Sequence, residues 1–213
     1  MRTLHPLTPD RVGDLHAPCA PCAFWQTGPQ DDRESMSDAG DALRAWVERV
    51  GAEWGAPGRV LYVDDEPAGH VVLAPARLVP RLATFATAPS DPAAVVLVTA
   101  SLGTNGQRRL LMQAAAKEAL AHGARSIDVV AARPLAVGRH GCVLEVAGLD
   151  RLGFRVERDH PTYPRLRLDL RTVVTIRDEA AAYVASRLAR LPGLRPVPET
   201  RPDGVTRARR RHE

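Results

Sequence analysis

The sequence predicts an α/β fold in which helices cover both faces of a mixed, largely antiparallel sheet. Two short β-type segments flank the turn at residues 64–67, which is typical of an antiparallel hairpin. The run 93–100 is continuously apolar and rich in β-branched residues, as in a strand that helices cover on both faces. A glycine-containing loop and an amphipathic helix follow this run. Together these features indicate one sheet with both antiparallel and parallel pairs.

The first half of the chain is predicted to contain three strands and two helices. Thr8 is placed to cap a short helix that has Pro9 in its first turn. A second helix is predicted over residues 37–51, because apolar side chains recur there at helical spacing. These side chains are Leu43, Trp46, Val47 and Val50. The strands are predicted at residues 2–6, 59–63 and 69–74, and the first helix at residues 8–15.

The second half begins with a predicted strand–helix–strand unit, with strands at 93–100 and 126–132 around a helix at 107–122. Its crossover is expected to be right-handed. The buried face of the helix is predicted to consist of Leu110, Leu111, Ala114, Ala115 and Ala119, and Gly123 ends it. A short helix ending at 149–152 and strands at 153–156 and 165–170 follow. In the last strand Leu166, Leu168 and Leu170 alternate with polar residues, so one face is buried.

The chain is predicted to form one domain over residues 1–191 and a flexible basic tail over residues 192–213. Thr175-Ile-Arg-Asp178 fits a capping box that opens a final helix, whose apolar register runs to Leu191. From Pro192 onward the proline, glycine and arginine content rises and the periodicity stops. The tail therefore has too little apolar surface to offset its ordering entropy.

Composition favours a globular protein of the cytoplasm. The 213 residues carry a formal net charge of +4, and no apolar run approaches the roughly 18 residues of a membrane span. The N-terminus lacks the apolar core of a secretory signal, so we expect neither export nor membrane association. Four arginines lie within the last seven residues and Lys117 is the only lysine. An arginine-rich composition explains this better than nucleic-acid binding does.

Three cysteines are present, an odd number that predicts no disulfide framework in a cytoplasmic protein. Cys19 and Cys22 have the spacing of zinc ligands, and Cys142 with His16 or His140 would complete a tetrahedral set. A single CxxC pair is a weak signal, however. We expect no metal, and we expect reduced thiols that pack beside Phe24 and Trp25.

The loop between the apolar strand and its helix has the composition of a phosphate-binding loop. It reads Ser101-Leu-Gly103-Thr-Asn-Gly106-Gln-Arg108-Arg109. Glycines let the backbone approach an anion, and N–H groups at a helix N-terminus point towards it. Two arginines in the first helical turn oppose the helix dipole unless an anion lies nearby. An ordinary strand-to-helix turn would use the same residues.

The order of elements and several segments resemble the GNAT superfamily of N-acetyltransferases, in particular a poorly characterised bacterial branch. The similar segments are Cys19-Ala-Pro-Cys22-Ala-Phe-Trp25, Leu97-Val-Thr-Ala100, Leu110-Leu-Met-Gln-Ala-Ala-Ala-Lys-Glu118, Cys142-Val-Leu144, Gly153-Phe154 and His160-Pro-Thr-Tyr-Pro-Arg-Leu-Arg-Leu-Asp-Leu-Arg-Thr172. They span about residues 1 to 190.

The resemblance implies that acetyl-CoA is the co-substrate and lies where the central strand splays from the next parallel strand. Thr99, Ala100, Ser101 and Leu102 would then face the pantetheine arm. Gly103, Thr104, Asn105, Gly106, Gln107 and Arg108 would surround the pyrophosphate. Of the family's loop pattern, only the central Gly106 is retained, since Gly103 and Arg108 replace the leading Arg or Gln and the final small residue.

In this family a base removes a proton from the amine and an acid, commonly a tyrosine, protonates the leaving thiolate. No Tyr or Ser lies between Cys142 and Phe154, so the protic candidates there are Cys142, Glu145 and Asp150. Tyr163, in the loop that follows, is a further candidate. Glu145 is the candidate base, with a solvated helix residue as the simpler interpretation. Tyr163 and His160 lie in a proline-bounded loop, and shaping that bend is the alternative role for both.

The expected function is transfer of an acetyl or other short acyl group from acyl-CoA to an amine on a small molecule or protein. The alternative is a non-catalytic GNAT-like scaffold with a degenerate CoA loop. A third interpretation, nucleic-acid binding, depends only on the arginine-rich tail. The sequence does not specify the acceptor, and it leaves homodimer formation open.

Overall fold

The computed structural model describes residues 1–17, 19–20, 22–28, 39–138 and 142–171. The predicted final helix and the tail at residues 192–213 lie outside these described residues. None of the helices in the described part has the length and apolar character of a membrane span.

Seven strands of the described chain form one sheet. They are β1 (Arg2–Pro6), β2 (Gly58–Val63), β3 (Glu66–Pro75), β4 (Val95–Ser101), β5 (Ser126–Val130), β6 (Arg155–Arg158) and β7 (Arg165–Asp169). Their order across the sheet is β1-β2-β3-β4-β5-β7-β6. Every neighbouring pair is antiparallel except β4 and β5, which are parallel. The sheet is therefore mixed and largely antiparallel, as the sequence predicts.

The described helices lie on both faces of this sheet. They are α1 (Ala39–Glu53), α2 (Asn105–Ala121) and α3 (Val146–Asp150), with 3₁₀ turns at Pro9–Asp14, Ala76–Leu78, Pro80–Thr84 and Pro134–Ala136. Leu43, Trp46, Val47 and Val50 of α1 are buried in one core, and the Trp46 indole N–H donates to the Leu78 carbonyl at 2.6 Å. The second core contains α2, Leu149 of α3, and Phe154.

Several element boundaries differ from the sequence-based prediction. The segment after Thr8 is a 3₁₀ turn, α2 begins two residues early at Asn105, and β5 ends at Val130. The buried face of α2 consists of Leu111, Met112, Ala115, Ala116 and Ala119, whereas Leu110 and Ala114 are only half-buried. β6 starts at Arg155 because Gly153, at φ +91°, and the fully buried Phe154 complete the turn after α3.

The two parallel strands separate soon after they begin. β4 is the fourth of the seven strands and pairs with β5 only through Val95 with Ile127 and Val96 with Asp128. Beyond Val96, the segment 97–101 continues beside β3 alone. This confirms the prediction of a central buried strand whose C-terminal end splays from its parallel neighbour. We call the resulting space between 97–101 and the end of β5 the gap.

Candidate functional site

The segment Cys142–Val146 lies in the gap, on the side of β5 that faces β4. Successive backbone N–H groups of an extended chain point to opposite edges. The N–H groups of Ala131 and Arg133 donate to the Pro164 and Thr162 carbonyls near β7. The N–H of Ala132 therefore points away from β7, and it donates to the Leu144 carbonyl at 2.8 Å. Val146 N–H returns a bond to the Ala132 carbonyl at 3.1 Å, which makes a parallel bridge.

All three cysteines meet at one end of this segment. Cys19 Sγ lies 3.1 Å from Oγ1 of Thr99, which belongs to the splayed part of β4. The thiols of Cys19, Cys22 and Cys142 are close enough to shift one another's pKa. The three thiols and Thr99 line a cavity of about 10 Å³, about the space of one water molecule. We call Cys19, Cys22 and Cys142 the thiol cluster.

The thiols of the cluster differ in acidity. The Cys142 hydrogen bond lowers the pKa of Cys19, with help from His70 and Thr99 and against the effect of burial. Cys142 likewise lowers the pKa of Cys22, again against burial. The pKa of Cys142 itself is raised, because its neighbours Cys19 and Cys22 carry the negative charge and because it is buried. Cys142 is therefore the thiol that keeps its proton.

His70 of β3 lies next to this cluster and is fully buried. Its Nδ1 accepts the backbone N–H of His16 at 3.2 Å, so Nε2 is the ring nitrogen that carries a proton. Among the described residues, Nε2 has no hydrogen-bond partner in the structure. The sequence contained a signal for His70, because it is a single histidine within the otherwise apolar strand segment 69–74, but our interpretation of the sequence missed it. His16 contributes its backbone here.

Trp25, in the loop 22–28, packs beside the thiol cluster. The Trp25 indole N–H donates to the Cys142 carbonyl at 3.1 Å, and its ring packs against Phe85 at 5.4 Å between centroids. Arg81 holds the same loop by donating to the Phe24 carbonyl and to Thr27 Oγ1. The packing of aromatic side chains beside the thiols agrees with the sequence-based expectation.

No three histidine, cysteine, aspartate or glutamate side chains within the described ranges are arranged to hold a metal ion.

The predicted phosphate loop leads from the splayed end of β4 into α2. The Thr104 N–H donates to the Gln107 side-chain oxygen at 2.6 Å, which closes the first turn. Gly103 has φ +53°, and a Cβ there would lie 2.2 Å from that oxygen, so this turn requires glycine. A Cβ on Gly106 would lie 3.5 Å from a guanidinium nitrogen of Arg2. The N-terminus of α2 thus has Arg2 of β1 beside it as well as Arg108.

The candidate base Glu145 lies at the start of α3, and its side chain is exposed. It lines a cavity of about 270 Å³ together with Ala132, Pro134, Val137, Val146 and Ala147. Glu145 and Cys142 therefore both belong to the segment in the gap. The thiol of Cys142 lies in the buried cluster, whereas the Glu145 carboxylate is open to solvent.

Tyr163 lies farther along the same aromatic row. Its ring meets Phe85 edge to face at 5.2 Å, and Phe85 stands between it and Trp25. His160 Nδ1 accepts the backbone N–H groups of Thr162 and Tyr163 at 3.2 and 3.0 Å. These contacts support the interpretation that His160 shapes the proline-bounded bend and that Tyr163 packs it.

A separate cavity of about 610 Å³ lies at the opposite ends of β4 and β5. Its lining includes Val95, Ser126, Asp128, Arg165 and Arg167. It lies where the two strands are still paired, so it is not part of the gap.

Comparisons with known proteins support the fold. No protein-family model and no curated protein matches the sequence. Among solved structures, the chain is similar to the PaiA N-acetyltransferase from Thermoplasma acidophilum in complex with coenzyme A. The TM-score is 0.50 and the identity 12%, over 79% of this chain and 99% of that chain. An N-acetyltransferase from Staphylococcus aureus Mu50 gives a TM-score of 0.47 and 12% identity, over 80% of this chain and 99% of the other.

An acetyltransferase from Thermus thermophilus gives a TM-score of 0.44 and 17% identity, covering 79% of this chain and 97% of that one. The likeness to the Thermoplasma structure shows that the fold is the GNAT-like α/β fold that the sequence predicts.

Proposed function

We propose that the protein is an acyltransferase that moves a short acyl group from acyl-CoA to an amine. The observation that carries this proposal is the separation of β4 from β5 directly before the glycine-containing N-terminus of α2. A splayed pair of parallel strands leaves backbone groups free to bind an extended amide-containing arm. The helix N-terminus at the end of the same strand is suited to the pyrophosphate. The Thermoplasma N-acetyltransferase of similar fold contains coenzyme A.

In the proposed mode, Thr99 to Leu102 run beside the pantetheine arm and Gly103 to Arg108 surround the pyrophosphate. The Gly106 backbone allows close approach, and Arg2 and Arg108 supply positive charge. The reaction requires attack of a neutral amine on the thioester carbonyl, transfer of the amine proton to a base, and loss of the CoA thiolate.

We assign these proton transfers to two residues of the segment Cys142–Val146. The exposed Glu145 side chain lines a cavity of about 270 Å³, from which an amine can approach. The Cys142 thiol keeps its proton because its pKa is raised by Cys19 and Cys22. In this assignment Glu145 accepts the amine proton and Cys142 protonates the leaving thiolate. Tyr163 has a packing role.

The proposal is tested by calorimetric titration of acetyl-CoA into the full chain and by measuring CoA release with a panel of amines. Arg108→Ala and Arg109→Ala form a matched pair, because each removes one charge from the same turn of α2. Arg108 is half-buried and Arg109 exposed. We expect Arg108→Ala to weaken binding about tenfold and Arg109→Ala to have a smaller effect. Equal losses in the two variants would indicate only a general effect of charge.

A second function, that of a non-catalytic scaffold, is favoured by the occupied gap. The segment Cys142–Val146 forms hydrogen bonds with the end of β5, and the cavity at the thiol cluster holds only about 10 Å³. An acyl thioester does not fit there without movement of this segment. Absence of binding at millimolar acetyl-CoA would therefore support the scaffold over the enzyme.

A further inference from the structure

The thiol cluster joins two segments that are distant in sequence. Cys19 and Cys22 belong to the segment after the first 3₁₀ turn, and Cys142 belongs to the segment in the gap. The Trp25 indole already connects the two through the Cys142 carbonyl. A covalent bond within the cluster would therefore fix the gap segment to the N-terminal part of the chain.

The three cysteines are not equally open to solvent. Cys19 and Cys142 are 8% and 7% exposed, whereas Cys22 is half-buried. A thiol that reacts with an external molecule must be reachable and must carry thiolate character. Cys22 meets the first condition best, and its lowered pKa provides the second. Cys142 lines the same cavity of about 10 Å³ as Cys22 and is therefore placed to react next.

We infer that Cys22 and Cys142 are a thiol-modification site for small-molecule disulfides, with Cys22 as the attacking thiol and Cys142 as the resolving thiol. This inference is independent of the proposed acyl transfer, since it requires only the cluster and an oxidised thiol compound.

The chemistry balances in two exchange steps. The Cys22 thiolate attacks one sulfur of the external disulfide, forms a mixed disulfide and releases one thiolate, which takes a proton from water. Cys142 then loses its proton, attacks the Cys22 sulfur and releases the second thiolate. Two protein thiols are oxidised to one disulfide, and the external disulfide is reduced to two thiols.

The neighbours of Cys142 favour the second step. Once Cys22 is part of the mixed disulfide it carries no charge, so one cause of the raised Cys142 pKa is removed. Cys19, whose pKa is lowered and which lines the same cavity as Cys142, can accept its proton. His70 and Thr99 lie beside Cys19 and stabilise its thiolate before that transfer.

The experiment treats the reduced full chain with oxidised glutathione and follows the products by intact mass and peptide mapping. We expect loss of two hydrogens and a Cys22–Cys142 bond that dithiothreitol reverses. Cys142→Ser should stop at one bound glutathione on Cys22, and Cys22→Ser should react at least about tenfold more slowly. Cys19→Ser is the matched control, because it should still form the Cys22–Cys142 bond. Circular dichroism checks that each variant is folded.

Three results would overturn the inference. The first is a Cys19–Cys142 or Cys19–Cys22 bond as the first product in the wild-type protein. The second is reaction of Cys22→Ser at the wild-type rate. The third is that no cysteine of the folded protein reacts with oxidised glutathione, whereas the cysteines of the unfolded protein do. A stoichiometric zinc ion in the isolated protein that is released by the disulfide would also contradict it, since the cluster would then be a metal site.

Discussion

Arg167 of β7 donates two hydrogen bonds to the buried carboxylate of Asp128 on β5, from Nε at 2.7 Å and from a terminal nitrogen at 3.1 Å. The same Asp128 is the last β5 residue that pairs with β4. The ion pair therefore attaches β5 to β7 at the point where β5 loses its other neighbour. The Arg167 guanidinium also donates to Glu157 at 2.7 Å, where both side chains are partly exposed.

We expect Asp128→Asn to lower the free energy of unfolding by about 2 kcal/mol, because it leaves Arg167 and Arg165 without their buried counter-charge. In a protein of this size that loss lowers Tm by roughly 4–8 °C. Glu157→Gln is the matched control, since it removes the exposed partner of the same arginine and should cost less than about 1 kcal/mol. Thermal unfolding measures both, and equal losses would refute the argument.

A substitution at Gly106 should change the affinity for an anionic ligand without changing the stability of the fold. In Gly106→Asp the new carboxylate would lie in the first turn of α2, where a negative charge is favourable, and close to Arg2. We expect Tm to be unchanged or slightly raised. Affinity for acetyl-CoA should fall at least about tenfold, since the carboxylate repels the pyrophosphate and pairs with Arg2.

Gly51→Asp is the control for this substitution, because Gly51 has open space around it and lies on α1. Calorimetry should show wild-type affinity for the control. Unchanged affinity in Gly106→Asp would mean that any CoA site lies elsewhere.

The contact between Tyr62 and Asp14 predicts a loss of stability at high pH. The Tyr62 hydroxyl donates to the Asp14 carboxylate, and burial together with this bond raises the tyrosine pKa to about 12. A raised pKa in the folded state stabilises the protein below the unfolded pKa of 10.0, and this contribution is lost as the pH rises through about 12. Tm should therefore fall between pH 10 and 12.

Tyr62→Phe keeps the ring that His5 contacts edge to face at 5.2 Å but removes the ionisable hydroxyl. The variant should be less stable than the wild type at neutral pH and should show a flatter Tm profile over the alkaline range. Parallel profiles for the two proteins would show that Tyr62 does not cause the alkaline loss.

Local patterns were sufficient to predict most of the strands and helices, whereas the splayed parallel strands were expected from the resemblance to the GNAT superfamily. The apolar run that becomes β4 and the alternation of Leu166 and Leu168 are visible in short windows. The helix face of α2 was assigned partly wrongly, because several alanines make every face of that helix similarly apolar. Packing of α2 against the sheet determines which face of this helix is buried.

The arrangement in the gap could not be predicted in the same way. The bridge between Ala132 and Glu145 and the contact of Cys19 with Thr99 join residues that no periodicity relates. The sequence grouped Cys142 with the CxxC pair only as possible zinc ligands, and no pattern in it indicated that His70 lies beside them. The single strands and helices follow from local patterns, whereas the site chemistry depends on long-range contacts.

The sequence-based prediction for residues 192–213 stays open to a direct test. Deletion after Leu194 should change Tm by less than about 2 °C, because the removed segment has little apolar surface to bury. Thermal unfolding of the truncated and full chains makes the comparison. A fall of many degrees would mean that the segment docks on the domain.

Oxidation of the thiol cluster should both stabilise the chain and weaken acyl-CoA binding. A Cys22–Cys142 bond closes a long loop and so constrains the unfolded state, which predicts a gain of about 2–4 kcal/mol and a Tm increase of at least about 5 °C. If acyl-CoA binds in the gap, as proposed, the bond also holds the segment Cys142–Val146 there, so affinity should fall and recover on reduction. Cys22→Ser should show neither effect under the same oxidant. A Tm increase without any change in affinity would support the modification site but would mean that acyl-CoA binds outside the gap. If the Cys22–Cys142 bond is mapped but Tm does not increase, the disulfide strains the folded state.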